Sequence, residues 1–316
     1  MGLQGGVAGP ASAAAIIPAV PATSTVEPTA AQRANRRGIR LMIAAMACFV
    51  INDALVKLAS ASMPAAQLIF LRGVVATVFV FAVVRASGVR LRRAELGQRW
   101  VVWRSAIDAV ASMLFLVSLF HLPIANATAI SMAAPLFLVA LAVPILGERV
   151  DARRWAAIAV GFAGVLLVIR PSADGFDAFA LLCLAATLMH ALRDLATRRI
   201  PAGIPSIAIT FATACAVALL AGLLSLIEGW RPFGLRESAL LAGAAVFLAA
   251  GYQLIVLSTR AGDLSAIAPF RYTGLLWALL LGWVIWGDVP GALAWVGIAL
   301  LISAGLYLMR REHGRR

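Results

Sequence analysis

Long apolar segments, separated by short polar or basic links, make up most of the chain between residues 41 and 309. A helix needs about 20 apolar residues to cross the hydrocarbon core of a bilayer, and ten segments approach that length. They cover residues 41–59, 66–84, 100–121, 125–146, 155–170, 177–197, 206–226, 238–258, 264–286 and 293–309. Isolated strands would leave unpaired backbone groups in lipid, so each segment is predicted to be a helix. The pattern therefore predicts an all-α integral membrane protein with ten transmembrane helices.

The placement of arginine predicts how these helices are oriented. The links between spans alternate between arginine-rich and arginine-poor, and 19 of the 26 arginines fall on one predicted side. Because basic residues concentrate in the cytoplasmic links of membrane proteins, both termini are expected in the cytoplasm. An even number of spans requires the termini to share a side, which agrees with this orientation. We expect a multi-pass protein of the inner (plasma) membrane.

Composition indicates that lipid is the main solvent and narrows the choice of partners. Hydrophobic residues make up 62% of the chain and charged residues only 13%. The net charge of +13 would favour nucleic acid in a soluble protein, but these arginines flank apolar segments and form no stripe. The three cysteines, Cys48, Cys183 and Cys215, all lie inside apolar segments. We therefore expect the bilayer and a small molecule as partners, with no nucleic acid, metal or other cofactor.

The two halves of the chain resemble one another at an offset of about 140 residues. Residues 146–148 (Leu-Gly-Glu) match residues 286–288 (Trp-Gly-Asp), and the Asp-x-x-x-basic pattern of residues 53–57 recurs at residues 194–198. Each unit contains five predicted spans, and an odd number inverts the second unit in the membrane. Inverted repeats are typical of secondary transporters that work by alternating access.

This repeat divides the sequence into four parts. A disordered N-terminal tail is predicted for residues 1–37, which are rich in Ala, Pro and Gly. The first five-helix repeat is predicted over residues 38–172 and the second over residues 173–310. A short basic C-terminal tail follows at residues 311–316.

Several motifs make the sequence similar to the drug/metabolite transporter superfamily, in its EamA-type group. These motifs are Asn52-Asp53-x-x-x-Lys57, Leu71-Arg72-Gly73, Pro135 with Leu146-Gly147-Glu148, Gly161-x-x-Gly164, and Ala268-Pro269-Phe270-Arg271-Tyr272-Thr273 with Gly287-Asp288. The resemblance covers about residues 38–310 and implies a ten-helix metabolite transporter with a central cavity between its halves. The second half departs from the first in that no arginine matches Arg72. Members of the group carry very different metabolites, so the resemblance does not fix the substrate.

Polar residues inside the spans are the candidates for a transport site, because a charge at the bilayer centre costs roughly 2.5–3.5 kcal/mol. The helical rise places Asp53 and Arg72 about 9 Å inside the outer boundary on consecutive helices, so an ion pair is expected. Asp108, His190 and Arg271 form a second tier, roughly 10–12 Å from the cytoplasmic boundary. The predicted substrate-cavity residues are Asn52, Asp53, Arg72, Asp108, His190, Tyr252, Gln253, Arg271, Tyr272 and Trp277. The predicted structural or gating residues are Lys57, Arg104, Glu148, Arg193, Asp194 and Pro269.

These features predict a secondary transporter that moves a small polar or amphipathic metabolite across the inner membrane by alternating access. A channel or a structural membrane protein is the alternative. An intramembrane enzyme is disfavoured, because the three histidines have no metal-site spacing and no G-x-S-x-G motif occurs. Buried acids fit proton coupling, exchange and facilitated diffusion equally well, so protons are one candidate coupling ion. The sequence leaves substrate, direction of transport and oligomeric state open.

Overall fold

The computed structural model describes residues 2, 30–147, 150–169 and 177–313, and within these ranges the chain forms helices and no β-strand. The helices are α1 (Ala30–Ala59), α2 (Ala65–Ala86), α3 (Arg93–Leu96), α4 (Arg99–His121), α5 (Ile124–Ser131), α6 (Ala134–Leu146), α7 (Ala152–Ile169), α8 (Ala178–Thr197), α9 (Ser206–Glu228), α10 (Leu235–Ala261), α11 (Leu264–Ile267), α12 (Thr273–Trp286) and α13 (Ala292–His313). A 3-10 segment, Ala268–Tyr272, joins α11 to α12.

The helices have the lengths and the surface expected of a membrane bundle. In the described part of the chain, nine helical stretches are long and apolar enough to cross a membrane, and the apolar part of α13, Ala292–Leu308, is a shorter tenth. Large apolar side chains such as Val78, Leu219 and Ile227 are exposed on the outside of the bundle. Such a surface is stable only where lipid is the solvent. The predicted all-α class with ten transmembrane helices is confirmed.

The fourth and ninth spans are broken at corresponding places. Helices α5 and α6 meet just before Pro135, and the 3-10 segment between α11 and α12 contains Pro269. Proline has no backbone N–H, so it removes a helical hydrogen bond and favours a break at Pro269. Helices α6 and α12 then end alike, at Gly147 and Gly287, whose φ angles are 69° and 71°. Glycine favours these left-handed caps because it has no Cβ.

The two repeats are interleaved, so that their helices pair across the interface between them. Helix α1 packs along α10, α4 along α8, α2 along α9, α7 along α13, and α5 against α12. Exchanging the repeats converts the α1–α10 pair into the α8–α4 pair and returns the α2–α9 and α7–α13 pairs to themselves. Helices α5 and α12 belong to the fourth and ninth spans, which are exchanged with one another. The packing therefore follows a two-fold pseudo-symmetry, and a site at its centre is built from both repeats.

Small residues bring α7 and α13 into backbone contact. A Cβ built on Gly164 would lie 2.6 Å from the carbonyl oxygen of Gly297, and one built on Gly297 would lie 2.5 Å from the carbonyl oxygen of Gly164. Close helix packing of this kind depends on residues that have no side chain at the contact. The close contact at Gly164 is thus formed against the last helix of the other repeat.

Helix α1 begins earlier than the sequence suggested. It starts at Ala30, so residues 30–37, which were expected in the disordered tail, are helical. These residues are good helix formers and extend the hydrogen-bonded ladder of the span. The extension is also held by tertiary contacts, because Asn35 Oδ1 accepts from the backbone N–H of Asp263 at 2.8 Å and its Nδ2 donates to the Asp263 carboxylate.

Candidate functional site

A network of charged side chains is centred on Asp108 between α4 and α8. Arg193 Nη1 donates to Asp108 Oδ1 at 2.7 Å, and Arg193 Nη2 lies 2.8 Å from Asp194 Oδ1. His190 Nε2 and Arg104 Nη1 lie 3.9 Å and 4.0 Å from the Asp108 carboxylate. We call these five residues the Asp108 cluster. Arg104 and Asp108 are one turn apart on α4, as are His190 and Arg193–Asp194 on α8, so helical spacing brings them to the packed faces.

The tier predicted nearer the other end of the bundle is only partly formed as expected. Asn52 is buried, and its Nδ2 donates to Asp53 Oδ1 at 2.8 Å. The predicted ion pair between Asp53 and Arg72 is wrong: in the described part of the chain no salt bridge joins them, although their charges lie within electrostatic range. Arg72 Nε is buried without a hydrogen-bond partner. The neighbouring amide of Asn52 supplies the donor to Asp53, and Arg72 is left unmatched.

Tyr252 of α10 connects the two tiers. It is 59% exposed, yet the charges of Arg72, Arg104, Asp108 and Arg193 all act on its hydroxyl group. Those charges belong to α2, α4 and α8, so the exposed face of Tyr252 is turned to the interior of the bundle. We call the space around Tyr252, Asn52, Asp53, Arg72, Arg271 and the Asp108 cluster the central crevice.

Arg271 lies in the 3-10 segment that breaks the ninth span. It is exposed, and the charge of Asp194 of α8 acts on it without a direct contact. Among the described residues, it makes no hydrogen bond or salt bridge. The Arg271 guanidinium group is thus left without a hydrogen-bond or salt-bridge partner among the described residues, and its place in the predicted tier stays a prediction.

One end of the crevice is closed by α4 and α9. We call it the basic end; α2 and α8 end there, and α4 and α9 begin there. Arg104 donates to Thr213 of α9 and, at 3.2 Å, to Thr197 of α8, and the side-chain oxygens of Ser105 and Thr213 are 3.3 Å apart. Helix α4 packs along α9 here, whereas the pair related to it by pseudo-symmetry, α10 and α2, makes few contacts.

At the opposite end, the start of α2 is held by the end of α9. The Glu228 carboxylate accepts from the backbone N–H groups of Ala65 and Ala66 at 3.0 Å and 2.6 Å. An acidic group at a helix N-terminus satisfies free donors and complements the helix dipole. Gln67, which is fully buried, exchanges two hydrogen bonds of 2.9 Å with the backbone of Arg231.

A pocket of about 640 Å³ lies at this opposite end, apart from the Asp108 cluster. Its lining includes Lys57, His121, Glu228 and Trp286. Lys57 donates to the carbonyl oxygen of Leu122, and its Nζ lies 5.3 Å from the centroid of the Trp286 ring. Because Lys57 is one helical turn from Asp53, the pocket ends close to the central crevice.

Four other predicted residues fall outside the charged network or outside the described residues. Gln253 is exposed beside Tyr252, and Trp277 packs against the apolar core. The Tyr272 hydroxyl is buried without a partner and is directed at Gly305 of α13, so the structure does not bring it to the charged network. Glu148 lies outside the described residues. Within those residues, no group of three His, Cys, Asp or Glu side chains converges as metal ligands would.

Sequence reasoning missed Thr213, Glu228 and Gln67. The internal repeat contained the signal for Thr213, because the offset of 141 residues makes Thr213 the equivalent of Arg72 in the second repeat. Gln67 and Glu228 are polar residues at the ends of apolar segments, where a partner at a helix terminus could have been considered. Their partners are backbone groups, which the sequence does not specify.

The comparison with known families accounts for this architecture. The profile of the EamA-like transporter family matches the chain twice, over residues 36–170 and 178–311. The chain belongs to the EamA-like transporter family. The resemblance inferred from the sequence motifs is confirmed, and the two matches fall one on each half of the interleaved EamA-like fold.

Named relatives and a solved structure are similar over most of the chain. The pseudopaline exporter CntI of Pseudomonas aeruginosa is 27% identical over 280 residues, which cover 88% of this chain and 98% of the exporter. The riboflavin transporter of Rhizobium johnstonii is 32% identical over 218 residues, which cover 67% of this chain and 72% of the relative. A chain in a solved crystal structure superposes with a TM-score of 0.57 at 20% identity, over 87% of this chain and 98% of its own, and shows the same fold.

Proposed function

We propose that this EamA-like protein is a secondary transporter that carries a small polar or amphipathic metabolite across the inner membrane by alternating access. The interleaved inverted repeats, with a charged crevice between them, support this proposal. Relatives named for the export of pseudopaline and the transport of riboflavin support it too. The same relatives favour transport over catalysis, and the crevice residues act as binding and gating groups.

The observation that carries the mechanism is the unequal packing of two symmetry-related helix pairs. Helix α4 closes on α9 at the basic end, where Arg104 and Ser105 contact Thr213. The equivalent pair at the opposite end, α10 and α2, makes few contacts, and a pocket lies near that end. If α4 separated from α9 and α10 packed closely against α2, the basic end would open and the opposite end would close. The structure would then represent a state whose access is from the opposite end.

Cross-linking α4 to α9 should therefore stop transport. We expect the Ser105→Cys/Thr213→Cys protein, with Cys48, Cys183 and Cys215 replaced by alanine, to form a disulfide on mild oxidation, because the two side-chain oxygens are 3.3 Å apart. The measurement is counterflow of a metabolite panel that includes riboflavin, in proteoliposomes before and after oxidation. Counterflow should fall to the level of empty liposomes and return on reduction.

The two single-cysteine proteins are the controls, since oxidation should leave their counterflow unchanged. A cross-linked protein that still exchanges substrate at the unoxidised rate would show that α4 and α9 need not separate. Saturable counterflow also distinguishes a carrier from a channel, because a channel shows no acceleration by substrate on the far side. Absence of saturable counterflow across the panel would count against the carrier.

We propose that the basic end faces the cytoplasm, so that both termini lie inside. Val150 and Val289 follow the matched glycine caps Gly147 and Gly287, which inverted repeats place on opposite faces of the membrane. In the cysteine-free background, Val289→Cys should react with an impermeant maleimide in intact cells, and Val150→Cys should react only after the inner membrane is opened. Reaction of both positions from the same side would contradict the orientation.

A further inference from the structure

The central crevice has more positive than negative charge. In the described part of the chain, four arginines, Arg72, Arg104, Arg193 and Arg271, lie at membrane depth around it against three aspartates. A charge held away from water is stable only when it is paired or hydrogen-bonded. Arg72 Nε is shielded without a partner and Arg271 is exposed in the crevice, so the excess of guanidinium groups favours the binding of an anion there.

The four arginines differ sharply in how they are satisfied. Arg193 is bound by Asp108 and Asp194, and Arg104 by Thr197, Thr213 and the edge of the Asp108 carboxylate. Among the described residues, Arg72 and Arg271 have no hydrogen bond or salt bridge, and Arg72 Nε is buried without any partner. Asp108 and Asp194 are already engaged by Arg193, and Asp53, whose charge acts on Arg72, is hydrogen-bonded to Asn52 and makes no direct contact with either arginine.

We infer that the transported substrate is an organic anion whose carboxylate or phosphate oxygens bind the guanidinium groups of Arg72 and Arg271. The inference rests on the proposed transport function and names its substrate class. A guanidinium group presents several donors in a plane, which matches the oxygens of a carboxylate or a phosphate. Arg72 belongs to the first repeat and Arg271 to the second, so an anion held by both would bind across the interface between the repeats.

Tyr252 completes this binding site. Its exposed face lies within range of the charge of Arg72, and Phe49 holds the ring edge-on at a centroid distance of 5.2 Å. An aromatic ring beside cationic groups offers an apolar surface and a hydroxyl group to the rest of an organic anion. The engaged residues Arg193 and Asp108 then form the wall of the site toward the basic end.

Anion binding can be measured without knowledge of the natural substrate. The purified protein in lipid nanodiscs is titrated with citrate and with inorganic pyrophosphate at constant ionic strength, and its unfolding temperature is followed. Glucose and tetraethylammonium chloride serve as neutral and cationic probes. We expect at least one anion to raise the unfolding temperature saturably and the other two probes to have no effect. Comparing the rise in unfolding temperature with citrate and with pyrophosphate distinguishes a carboxylate site from a phosphate site.

The response should depend on Arg72 and Arg271, which have no hydrogen bond or salt bridge among the described residues and which we call the open arginines. Arg72→Gln and Arg271→Gln should each weaken the apparent affinity about tenfold, and the double variant should abolish the response. Arg85→Gln, at the basic end of the same helix as Arg72, is the matched control and should respond as the wild type does. An equal response in the wild type and the double variant, or no anion response in the wild type, would overturn the inference.

A second measurement separates open arginines from structural ones. Without ligand, Arg72→Gln and Arg271→Gln should keep or raise the unfolding temperature, because each removes an unpaired cation, whereas Arg193→Gln should lower it. A fall in both open-arginine variants as large as that in Arg193→Gln would mean that these arginines hold the fold together, and the inference would be wrong. Arginine-dependent anion binding without saturable counterflow would instead refute the carrier and leave the anion site standing.

Discussion

Replacing Asp108 with asparagine should destabilise the protein by about 3–5 kcal/mol, since it leaves Arg193 without its closest acceptor inside the bundle. Arg193 Nη1 and Asp108 Oδ1 are 2.7 Å apart, and the two side chains are only 24% and 11% exposed. Arg104 and His190 lie near the same carboxylate, so its neutralisation leaves several positive or polar groups facing one another. The measurement is the free energy of unfolding in mixed micelles, followed by the loss of helical signal.

A double-mutant cycle tests whether the loss comes from the pair. Arg193→Met combined with Asp108→Asn should be less destabilising than the sum of the two single changes, because the double variant leaves neither partner alone. Arg92→Gln is the control. Arg92 is 78% exposed and lies 3.9 Å from Glu95, and a surface pair of this kind contributes about 0–1 kcal/mol. Strictly additive losses would show that Asp108 and Arg193 do not stabilise the fold through one another.

The apolar pattern was sufficient to predict the all-α class and the ten spans, because in lipid the main question for each segment is whether it is long enough to cross. The ends of the helices were less accessible to this reasoning. Residues 30–37 are polar and basic, so hydropathy separated them from the first span although the helix continues through them. Hydropathy reports the boundary of the bilayer, and the hydrogen-bonded ladder can extend beyond it into water.

The sequence predicted the depth of the site residues in the membrane better than it predicted which of their side chains pair with one another. Helical rise predicted one level for Asp108, His190 and Arg271; in the structure His190 lies 3.9 Å from the Asp108 carboxylate, whereas Arg271 contacts neither residue directly. For Asp53 and Arg72 the same reasoning predicted a pair that does not form. Depth along a helix says nothing about the direction in which a side chain points. That direction depends on the rotation of each helix, which packing against the other repeat determines.

Gly164→Ala should cost about 3 kcal/mol or more in unfolding free energy, at the high end of overpacked helix contacts. The added Cβ would lie 2.6 Å from the carbonyl oxygen of Gly297 and 3.0 Å from the Leu301 nitrogen. Both atoms belong to the backbone of α13 and cannot rotate away, so α7 and α13 must separate. Because this pair joins the last helix of each repeat, the separation would loosen the bundle at the interface between the halves.

The glycines of the bundle provide a graded test of this explanation. Gly297→Ala should be as damaging as Gly164→Ala, and Gly161→Ala should be milder, because its new Cβ meets the Leu136 side chain, which can adjust. Gly274→Ala is the matched control on a helix, with its nearest neighbour an ordinary 3.5 Å away at Met132 Cε. Since alanine favours helix over glycine by about 1 kcal/mol, the control should be neutral or slightly stabilising. Equal losses at Gly164 and Gly274 would show that backbone contact between α7 and α13 is not what holds these helices together.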